Sequence, residues 1–423
     1  MQPEIIPRAE HSVSRADISE YALKVLYRLK KAGYAAYLVG GGVRDLLLRH
    51  QPKDFDVATD ATPEEVNKLF RNCRLIGRRF RLAHVHFGRD IIEVATFRAQ
   101  HRDGDDDGVM TDGMILRDNV FGSLEEDAFR RDFTVNALYY NIEDFSLVDY
   151  TGGLSDLEQR RLRMIGDPEV RIQEDPVRLL RALRFAAKLG FSLDSQLEQQ
   201  FARHGERLLD VPPARLFEEI LKLFMSGYAI RAFELLSHYA IFRYLFPQTA
   251  ELMEADDGYT RRFIEAGLLN TDRRIQEDKP VTPFFLFGVL LWPVVRQQAR
   301  LLQEEGESEL QALQQAAREV VQEQTRRITI PKRFSLPMKE TWLMQARLSR
   351  RQGKRAIRLL EAPRFRAGYD FLLLRHQAGE SLKELCDWWT QFQEADEKTQ
   401  RDMLQAVSPG KSKRGRRRRK KRT

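Results

Sequence analysis

The sequence is poor in cysteine and has no long hydrophobic run. Cys73 and Cys386 are the two cysteines among 423 residues, and they show no metal-ligand spacing, which excludes a disulfide-rich scaffold and a cysteine-bound zinc site. The longest apolar run, residues 284–292, is too short to span a bilayer, and the opening segment MQPEIIPRAEHS lacks the apolar core of a secretory signal. We therefore expect a cytoplasmic protein without membrane contact, with both thiols buried and a buried helix over 284–292.

Positive charge is concentrated at the C-terminus. The net charge is +8, but the last sixteen residues hold ten Lys or Arg and no acid, so residues 1–407 carry a net charge of −2. Because like charges repel, we predict that residues 401–423 form a disordered tail. A polyanion is its expected partner, with RNA as the first candidate; a solubilising terminus is the alternative.

Two aspartates on one predicted strand suggest a metal site. Asp54 and Asp56 lie in the sequence KDFDVATD, and alternation along a strand places their side chains on one face. Two neighbouring carboxylates repel each other unless a divalent cation lies between them. Mg²⁺ binds to one or two carboxylates together with substrate phosphates. Taken alone, a DxD sequence is more often a solvated strand or turn.

A glycine run precedes these aspartates in the chain. Gly40, Gly41 and Gly42 follow a predicted strand over 35–39, and a helix is predicted to begin near Val43. Glycines let the backbone come close to a ligand, and the first amides of a helix bind phosphate. The run alone would be a flexible turn. Together with the aspartates it predicts a metal-dependent nucleotidyl-transfer site.

The secondary-structure patterns divide the chain into a mixed head and a helical remainder. Residues 82–87 and 91–97 predict a hairpin, and Glu93 on its second strand is expected to approach the aspartate pair. Beyond residue 150 the pattern is helical, without further β alternation. We therefore predict an α+β protein, with a mixed α/β nucleotidyltransferase head, an elongated all-α neck and body, and a basic tail. The predicted segments are a disordered N-terminus (1–17), the head (18–150), the neck (151–245), the body (246–400) and the tail (401–423).

Two helical patterns carry unusual charge. Residues 125–136, EEDAFRRDFTVN, are predicted to form one surface helix with internal salt bridges. In EDPVRLLRALRF, Asp175 is expected to cap a helix that begins at Pro176 and ends at Gly190. Its arginines, Arg178, Arg181 and Arg184, recur every third residue and form a ridge suited to binding bases and triphosphates. Solvated arginines without a ligand are the ordinary alternative.

The segment over 101–113, HRDGDDDGVMTDG, is polar and rich in glycine, so a mobile loop is predicted there. Asp103 and the aspartates at 105–107 resemble half of a calcium loop that lacks its terminal glutamate. We assign these aspartates no role.

In their order along the chain, these motifs resemble the class II nucleotidyltransferase superfamily, which contains bacterial poly(A) polymerases and tRNA CCA-adding enzymes. The matching segments are LVGGGVRD (38–45), DFD (54–56), RRDFTVNAL (130–138), YTGGLSDL (150–157) and EDPVRLLRALRFAAKLGF (174–191). The segment LIGRRFRLAHVHFG (75–88) looks like one that marks bacterial poly(A) polymerases of type I and not CCA-adding enzymes. Residues 330–375 and the basic tail are similar to the C-terminal part of the same polymerases.

The resemblance implies roles for individual residues. Asp54 and Asp56 would be the metal-binding carboxylates, with Glu93 as a further ligand, and Asp132 would be the third active-site aspartate. Asp132, Glu93 or a metal-bound hydroxide would be the general base. Asp175 and Arg178 would read the base, and the nucleotide would be held by Gly41, Gly42, Arg44, Arg131, Asp175, Arg178, Arg181 and Arg184.

The implied reaction is template-independent transfer of AMP from ATP to an RNA 3′-hydroxyl, with release of pyrophosphate, which would mark RNA for decay. The expected cofactors are two Mg²⁺ ions, with Mn²⁺ as a substitute. Two alternatives stay open: a CCA-adding enzyme that selects both CTP and ATP on tRNA, and a non-catalytic RNA-binding protein, against which the intact DFD and RRD sequences argue. The expected partners of a monomeric protein are RNA 3′ ends, ATP, the RNA-decay machinery and an RNA chaperone.

Overall fold

The computed structural model describes residues 2–77, 81–99 and 120–407, together with the backbone of 110–111 and 114–115. The chain divides after Val211 into two compact units, and residues 238–240 return to the first. The division falls inside the segment predicted as the neck. The predicted loop over 101–113 and the basic residues 408–423 lie outside the residues whose side chains are described.

The first unit is built on a mixed β-sheet flanked by helices. Its strands are β1 (Glu4–Ile6), β2 (Ala36–Val39), β3 (Asp56–Thr59), β4 (Cys73–Ile76), β5 (Leu82–Phe87), β6 (Asp90–Thr96), β7 (Met110–Thr111), β8 (Met114–Ile115), β9 (Leu138–Asn141), β10 (Leu147–Asp149), β11 (Arg161–Leu162) and β12 (Ser192–Leu193). The main sheet has the order β1-β10-β9-β2-β3-β6-β5-β4. Its neighbours are antiparallel except for β3 and β6, which are parallel. The predicted β5–β6 hairpin is confirmed.

Two expectations about this unit are wrong. Residues 2–17 are ordered, because β1 forms one edge of the main sheet and pairs with β10, Val13 is 1% exposed, and the ring of His11 forms a 2.8 Å hydrogen bond with the carbonyl oxygen of Phe145. Strands also continue beyond residue 150, since β11 and β12 form a parallel pair. Each has two residues, which is too short for alternation to be visible in the sequence.

The first unit has eight α-helices in the described part of the chain. They are α1 (Glu20–Lys31), α2 (Gly41–Leu47), α3 (Pro63–Leu69), α4 (Leu124–Arg130), α5 (Gly153–Glu158), α6 (Pro168–Glu174), α7 (Val177–Leu189) and α8 (Ser195–His204). The apolar stripe of α1 is fully buried, as expected for a helix whose apolar residues recur at three- and four-residue spacing: Val25, Leu26 and Leu29.

The second unit is helical throughout the residues described. Its helices are α9 (Pro213–Phe224), α10 (Ala229–His238), α11 (Phe242–Leu245), α12 (Pro247–Ala255), α13 (Tyr259–Gln276), α14 (Pro283–Glu304), α15 (Glu309–Arg327), α16 (Lys332–Leu348), α17 (Lys354–Leu360), α18 (Phe365–Gln377), α19 (Lys383–Glu394) and α20 (Glu397–Val407). The predicted buried helix over 284–292 is part of α14. None of the described helices combines the length with the apolar composition that a bilayer span requires.

Two further details differ from expectation. The tail cannot begin at residue 401, because α20 continues to Val407 and packs Leu404, which is 9% exposed, into a cluster with residues of α16 to α19. Cys386 is buried as predicted, whereas Cys73 lies on the edge strand β4 and is only half-buried. The α+β class, a mixed-sheet head followed by helices, is confirmed.

Candidate active site

Asp56 is the first residue of the inner strand β3 and lies opposite Glu93 on β6. We call the group of Asp54, Asp56 and Glu93, at this end of β3, the acidic edge. β3 begins at Asp56, and its parallel register with β6 pairs Asp56 with Glu93. Burial raises the pKa of Asp56 to about 6; the negative charges of Glu93 and Asp54 add to this shift, and the cation of Arg131 opposes it. The structure therefore brings together three carboxylates that the sequence pointed to, and it holds one of them where its charge is disfavoured.

Asp54 lies just before the strand and is more exposed than Asp56. Phe55 and Val57 are 9% and 0% exposed, whereas Asp56 is half-buried and Asp54 is exposed; because β3 begins at Asp56, Asp54 does not lie on the strand that was predicted to carry both aspartates. A Cβ atom on Gly42 would lie 3.4 Å from the carbonyl oxygen of Asp54. The glycine run thus passes close to the backbone that carries this carboxylate.

The glycine turn also faces Asp56. Gly40 follows β2 with a φ of 75°, in the left-handed region that favours glycine, and α2 begins at Gly41, two residues earlier than predicted. A Cβ atom on Gly40 would lie 3.6 Å from Nη1 of Arg131 and 4.0 Å from Oδ2 of Asp56. A side chain at this position would therefore occupy space next to both charged groups.

Arg131 is held near the glycine turn by Asp127, a buried carboxylate that the sequence did not single out. Asp127 is 1% exposed and accepts hydrogen bonds from Nε and Nη2 of Arg131 at 3.2 and 3.0 Å and from the hydroxyl of Tyr139 at 2.8 Å. Burial opposes its ionisation, but the guanidiniums of Arg131 and Arg130 hold the pKa of Asp127 below its usual value. Its position four residues before Arg131 in a helical pattern was the available signal.

The prediction of one continuous helix over 125–136 is wrong. The helix ends before Arg131, and Arg131 and Asp132 therefore have different surroundings. α4 ends at Arg130, and Arg131 is extended with a ψ of 166°. Nη2 of Arg171 donates to the carbonyl oxygens of Arg130 and Arg131 at 2.6 and 3.0 Å, and thus takes up acceptors that a continuing helix would use. The adjacent charges consequently contact different partners.

Asp132 contacts two arginines of α7. Its Oδ2 lies 2.5 Å from Nη2 of Arg181, and its Oδ1 lies 3.3 Å from Nε of Arg178. Burial would raise the pKa of Asp132, but the guanidiniums of Arg181 and Arg178 hold it below its usual value. Because a carboxylate of low pKa accepts a proton poorly, these contacts argue against Asp132 as the general base. Glu93 is the carboxylate directly opposite Asp56 in the sheet.

The helix that follows Asp175 has the predicted end and a slightly later start. α7 begins at Val177 with Pro176 as its N-cap, so the prediction that Asp175 is the cap is wrong; the carboxylate of Asp175 accepts a 3.2 Å hydrogen bond from the Val177 amide. Gly190 ends the helix in the left-handed conformation, as expected. Asp175 is also the C-terminal cap of α6, a helix that the sequence did not reveal.

The arginine ridge of α7 has two kinds of partner. Arg178 donates to Glu174 at 2.8 Å and shares Asp132 with Arg181. The guanidinium of Arg184 lies 5.0 Å from the ring centroid of Phe185. The first two arginines are thus anchored by acids, while the third stacks near an aromatic ring.

Arg44 lies inside the head. It is 2% exposed; its Nε and Nη2 donate to Asp45 at 2.8 and 2.6 Å, and its Nη1 donates to Asn136 at 2.5 Å. Its guanidinium lies 5.5 Å from the ring centroid of Phe185, and a Cβ atom on Gly41 would lie 3.5 Å from its Nη2. This burial argues against the direct nucleotide contact predicted for Arg44.

Asp156 is a second buried carboxylate that sequence reasoning missed. It is 0% exposed and accepts hydrogen bonds from Arg161 at 2.9 and 2.7 Å, from Arg163 at 2.8 Å and from the hydroxyl of Thr134 at 2.7 Å. Because Thr134 is two residues from Asp132, this carboxylate fixes the segment that carries Asp132. Its place in the YTGGLSDL motif was the signal.

Three models of known protein families match parts of the chain. A model described as the poly A polymerase head domain matches residues 36–163, one described as a probable RNA- and SrmB-binding site of polymerase A matches 190–253, and one described as the polymerase A arginine-rich C-terminus matches 305–423. The first of these ranges contains the glycine turn and the acidic edge.

Three similar proteins place the chain among these enzymes. Poly(A) polymerase I of Escherichia coli O6:H1 is 51% identical over 99% of this chain and 92% of its own length. A CCA-adding enzyme of Lactobacillus helveticus is 37% identical over 52% of this chain and 53% of its own. The structure of the Bacillus stearothermophilus CCA-adding enzyme in complex with CTP has a TM-score of 0.55 at 25% identity, over 87% of this chain and 80% of that one. The chain belongs to the bacterial poly(A) polymerase I family.

Proposed function

We propose that AMP is transferred from ATP to an RNA 3′-hydroxyl at the acidic edge formed by Asp54, Asp56 and Glu93. The chain is a template-independent poly(A) polymerase, as its 51% identity to a poly(A) polymerase I over 99% of its length indicates. One observation carries the location of the chemistry. Asp56 is raised in pKa by burial and by two neighbouring carboxylates, directly beside a glycine turn that a side chain would obstruct.

The donor set fits a divalent cation that also contacts substrate. Among the residues described, no group of three or more His, Cys, Asp or Glu side chains is arranged to hold a metal by itself. Mg²⁺, however, is commonly held by one or two carboxylates together with substrate phosphates. Asp54 and Asp56 would hold it, in a two-metal arrangement with Glu93 as a further ligand and Mn²⁺ as a substitute. When bound, such ions stabilise charge on the attacking and leaving oxygens.

The residues of the chain supply positioning. Arg131, held by Asp127 and Tyr139, offers a fixed positive charge beside the turn at Gly40, where we propose that the triphosphate binds. Fixed dipoles and charges lower a transfer barrier because they need no reorganisation during the reaction. Asp132 is disfavoured as the general base, since the arginines around it oppose its protonation.

The base of the nucleotide is proposed to lie against the start of α7. Asp175 accepts a hydrogen bond from the Val177 amide at the start of this helix, and Arg178 is anchored by Asp132 and Glu174, so both polar groups are held in fixed orientations. A rigid hydrogen-bonding edge discriminates strongly between bases, because the wrong base leaves buried polar groups unpaired. Arg181, Arg184 and the amides of Gly41 and Gly42 would complete the nucleotide site.

One set of reactions tests the assignment. The protein is incubated with a short RNA, Mg²⁺ and each nucleotide separately, and also with a tRNA that lacks its CCA end. Homopolymer growth with ATP alone is expected, and ordered addition of two C residues and one A would favour a CCA-adding enzyme. Arg178→Ala is expected to raise the KM for ATP and to weaken discrimination against CTP, and Arg300→Ala, at an exposed position of α14 in the second unit, is the control.

Contacts beyond the active site are also proposals. We propose RNA 3′ ends as the polymer substrate, the RNA-decay machinery and an RNA chaperone as partners, a monomeric state and a cytoplasmic location. Ten cations in residues 408–423 would add affinity through counterion release. Truncation after Val407 is expected to flatten the slope of log K against log salt by about 0.7 for each lost single-strand phosphate contact. Equal slopes for the two proteins would exclude an RNA contact of the tail.

A further inference from the structure

The strands β4 and β5 contain a sequence motif that has no role in the proposed reaction. The segment over 75–88 reads LIGRRFRLAHVHFG, and its described part includes all of β5. Ala83 and Val85 are both 0% exposed and pack into the core. His84 and His86 are half-buried and lie on the other face of the strand, which is the face that carries Glu93. The histidines are therefore not needed to fill the core.

We propose that His84 is a positioning residue that holds the carboxylate of Glu93 in place beside Asp56. The inference rests on the proposed metal-binding function of that edge. Its basis is the register of three neighbouring strands: His84 is directly opposite Glu93 in the antiparallel pair, and Glu93 is directly opposite Asp56 in the parallel pair. Directly opposite residues share a face of a sheet, so the three side chains form one row.

The contact between the first two members of this row is close. Nε2 of His84 lies 3.4 Å from Oε2 of Glu93, and the two side chains are 20% and 42% exposed. Nε2 is itself buried and has no aligned hydrogen-bond partner within the described residues. An unpaired buried nitrogen is costly, and a small rotation of the carboxylate would pair it.

The consequence for the site follows from the two oxygens of a carboxylate. If His84 donates to one oxygen of Glu93, the other is directed toward Asp56 and toward a cation between them. Carboxylates that bind metals are commonly oriented in this way by a hydrogen-bonded neighbour, and loss of that neighbour weakens metal binding about 10- to 100-fold. The β5 motif thereby contributes to the active site without touching substrate.

The experiment compares three variants of the full chain. His84→Ala removes the contact, His84→Gln keeps a donor near the Nε2 position, and His86→Ala is the matched control on the same strand and face. The ring of His86 lies 6.4 Å from that of His84, and residue 86 is opposite Ile91 instead of Glu93. The readouts are Mn²⁺ binding by electron paramagnetic resonance, with a non-hydrolysable ATP analogue present, and the Mg²⁺ concentration that gives half-maximal AMP transfer.

We expect His84→Ala to weaken Mn²⁺ binding about 10-fold or more and to raise the half-maximal Mg²⁺ concentration similarly. His84→Gln should recover most of this loss, and His86→Ala should bind like the wild type. Unchanged metal binding in His84→Ala, or an equal loss in His86→Ala, would overturn the role of His84. If Asp56→Asn binds Mn²⁺ as tightly as the wild type, the proposed metal site itself fails.

Discussion

Asp56 and Asp132 are both half-buried carboxylates of the first unit, yet their surroundings shift their pKa values in opposite directions. For Asp56, burial and the neighbouring acids Glu93 and Asp54 outweigh the cation of Arg131, and the pKa rises to about 6. For Asp132, the guanidiniums of Arg181 and Arg178 outweigh burial, and the pKa falls. Burial alone therefore does not decide the charge; the sign of the nearest neighbours does.

The difference separates two tasks. Asp132 already has its counter-charges, so it ties the segment after α4 to the arginines of α7. Asp56 has a surplus of negative charge around it, and a divalent cation bound there would relieve the repulsion. The predictions that follow test whether the two carboxylates really differ in this way, in order of decreasing effect.

The largest effect is expected for Asp56→Asn. Loss of the carboxylate should reduce AMP transfer by roughly 10³-fold or more, the scale seen when a preorganised electrostatic contact is deleted. Radiolabelled ATP and a short RNA measure the rate. Asp90→Asn, an exposed acid at the start of β6, is the control and should keep wild-type activity. Near-normal turnover of Asp56→Asn would remove the reaction from this edge.

Removal of Asp127 should be the most destabilising of the carboxylate changes. Asp127→Ala leaves the buried hydroxyl of Tyr139 without its acceptor and the guanidinium of Arg131 without its paired carboxylate, at a cost of roughly 3–5 kcal/mol for a broken buried pair. Because Arg131 is half-buried, the low end is expected. Hydrogen exchange of β9 amides measures the loss. Glu158→Ala, at an exposed position of α5, should change this exchange little.

The dependence of stability on pH should differ in sign between the two carboxylates. A raised folded pKa means that the stabilisation by protonated Asp56 is full below its unfolded value near 4 and is lost as the pH rises through about 6. Without divalent metal, Asp56→Asn should therefore be more stable than the wild type at pH 8, by up to roughly 3 kcal/mol. The ionised Asp132 stabilises above its unfolded pKa and ceases to do so as the pH falls through its lower folded value. Asp132→Asn should accordingly be less stable than the wild type at pH 8. Thermal unfolding of the wild type and both variants at pH 4, 6 and 8 tests both expectations.

Replacement of Asp272, a buried carboxylate of the second unit, should give the smallest change in stability. Asp272 of α13 is 4% exposed and accepts hydrogen bonds from the amides of Ala229 and Ile230 at 2.7 and 3.0 Å, so it caps α10 from a distant helix. Asp272→Ala should cost about 0.5–2 kcal/mol, as other lost caps do. All four tryptophans lie in this unit, so their fluorescence during urea unfolding reports the change. No shift of the midpoint would mean that the cap contributes nothing.

The sequence by itself determined the parts of this protein whose physics is local. The glycine turn between β2 and α2, the Gly190 helix end and the β5–β6 hairpin depend on neighbours within a few positions, and all were predictable. The tertiary structure decided the rest. Whether α4 continued past Arg130 depended on Arg171, forty-one positions away, and the partners of Asp132 lie forty-six and forty-nine positions along the chain. The row from His84 through Glu93 to Asp56 exists because a parallel and an antiparallel pairing meet at β6, and strand register is a property of the folded sheet.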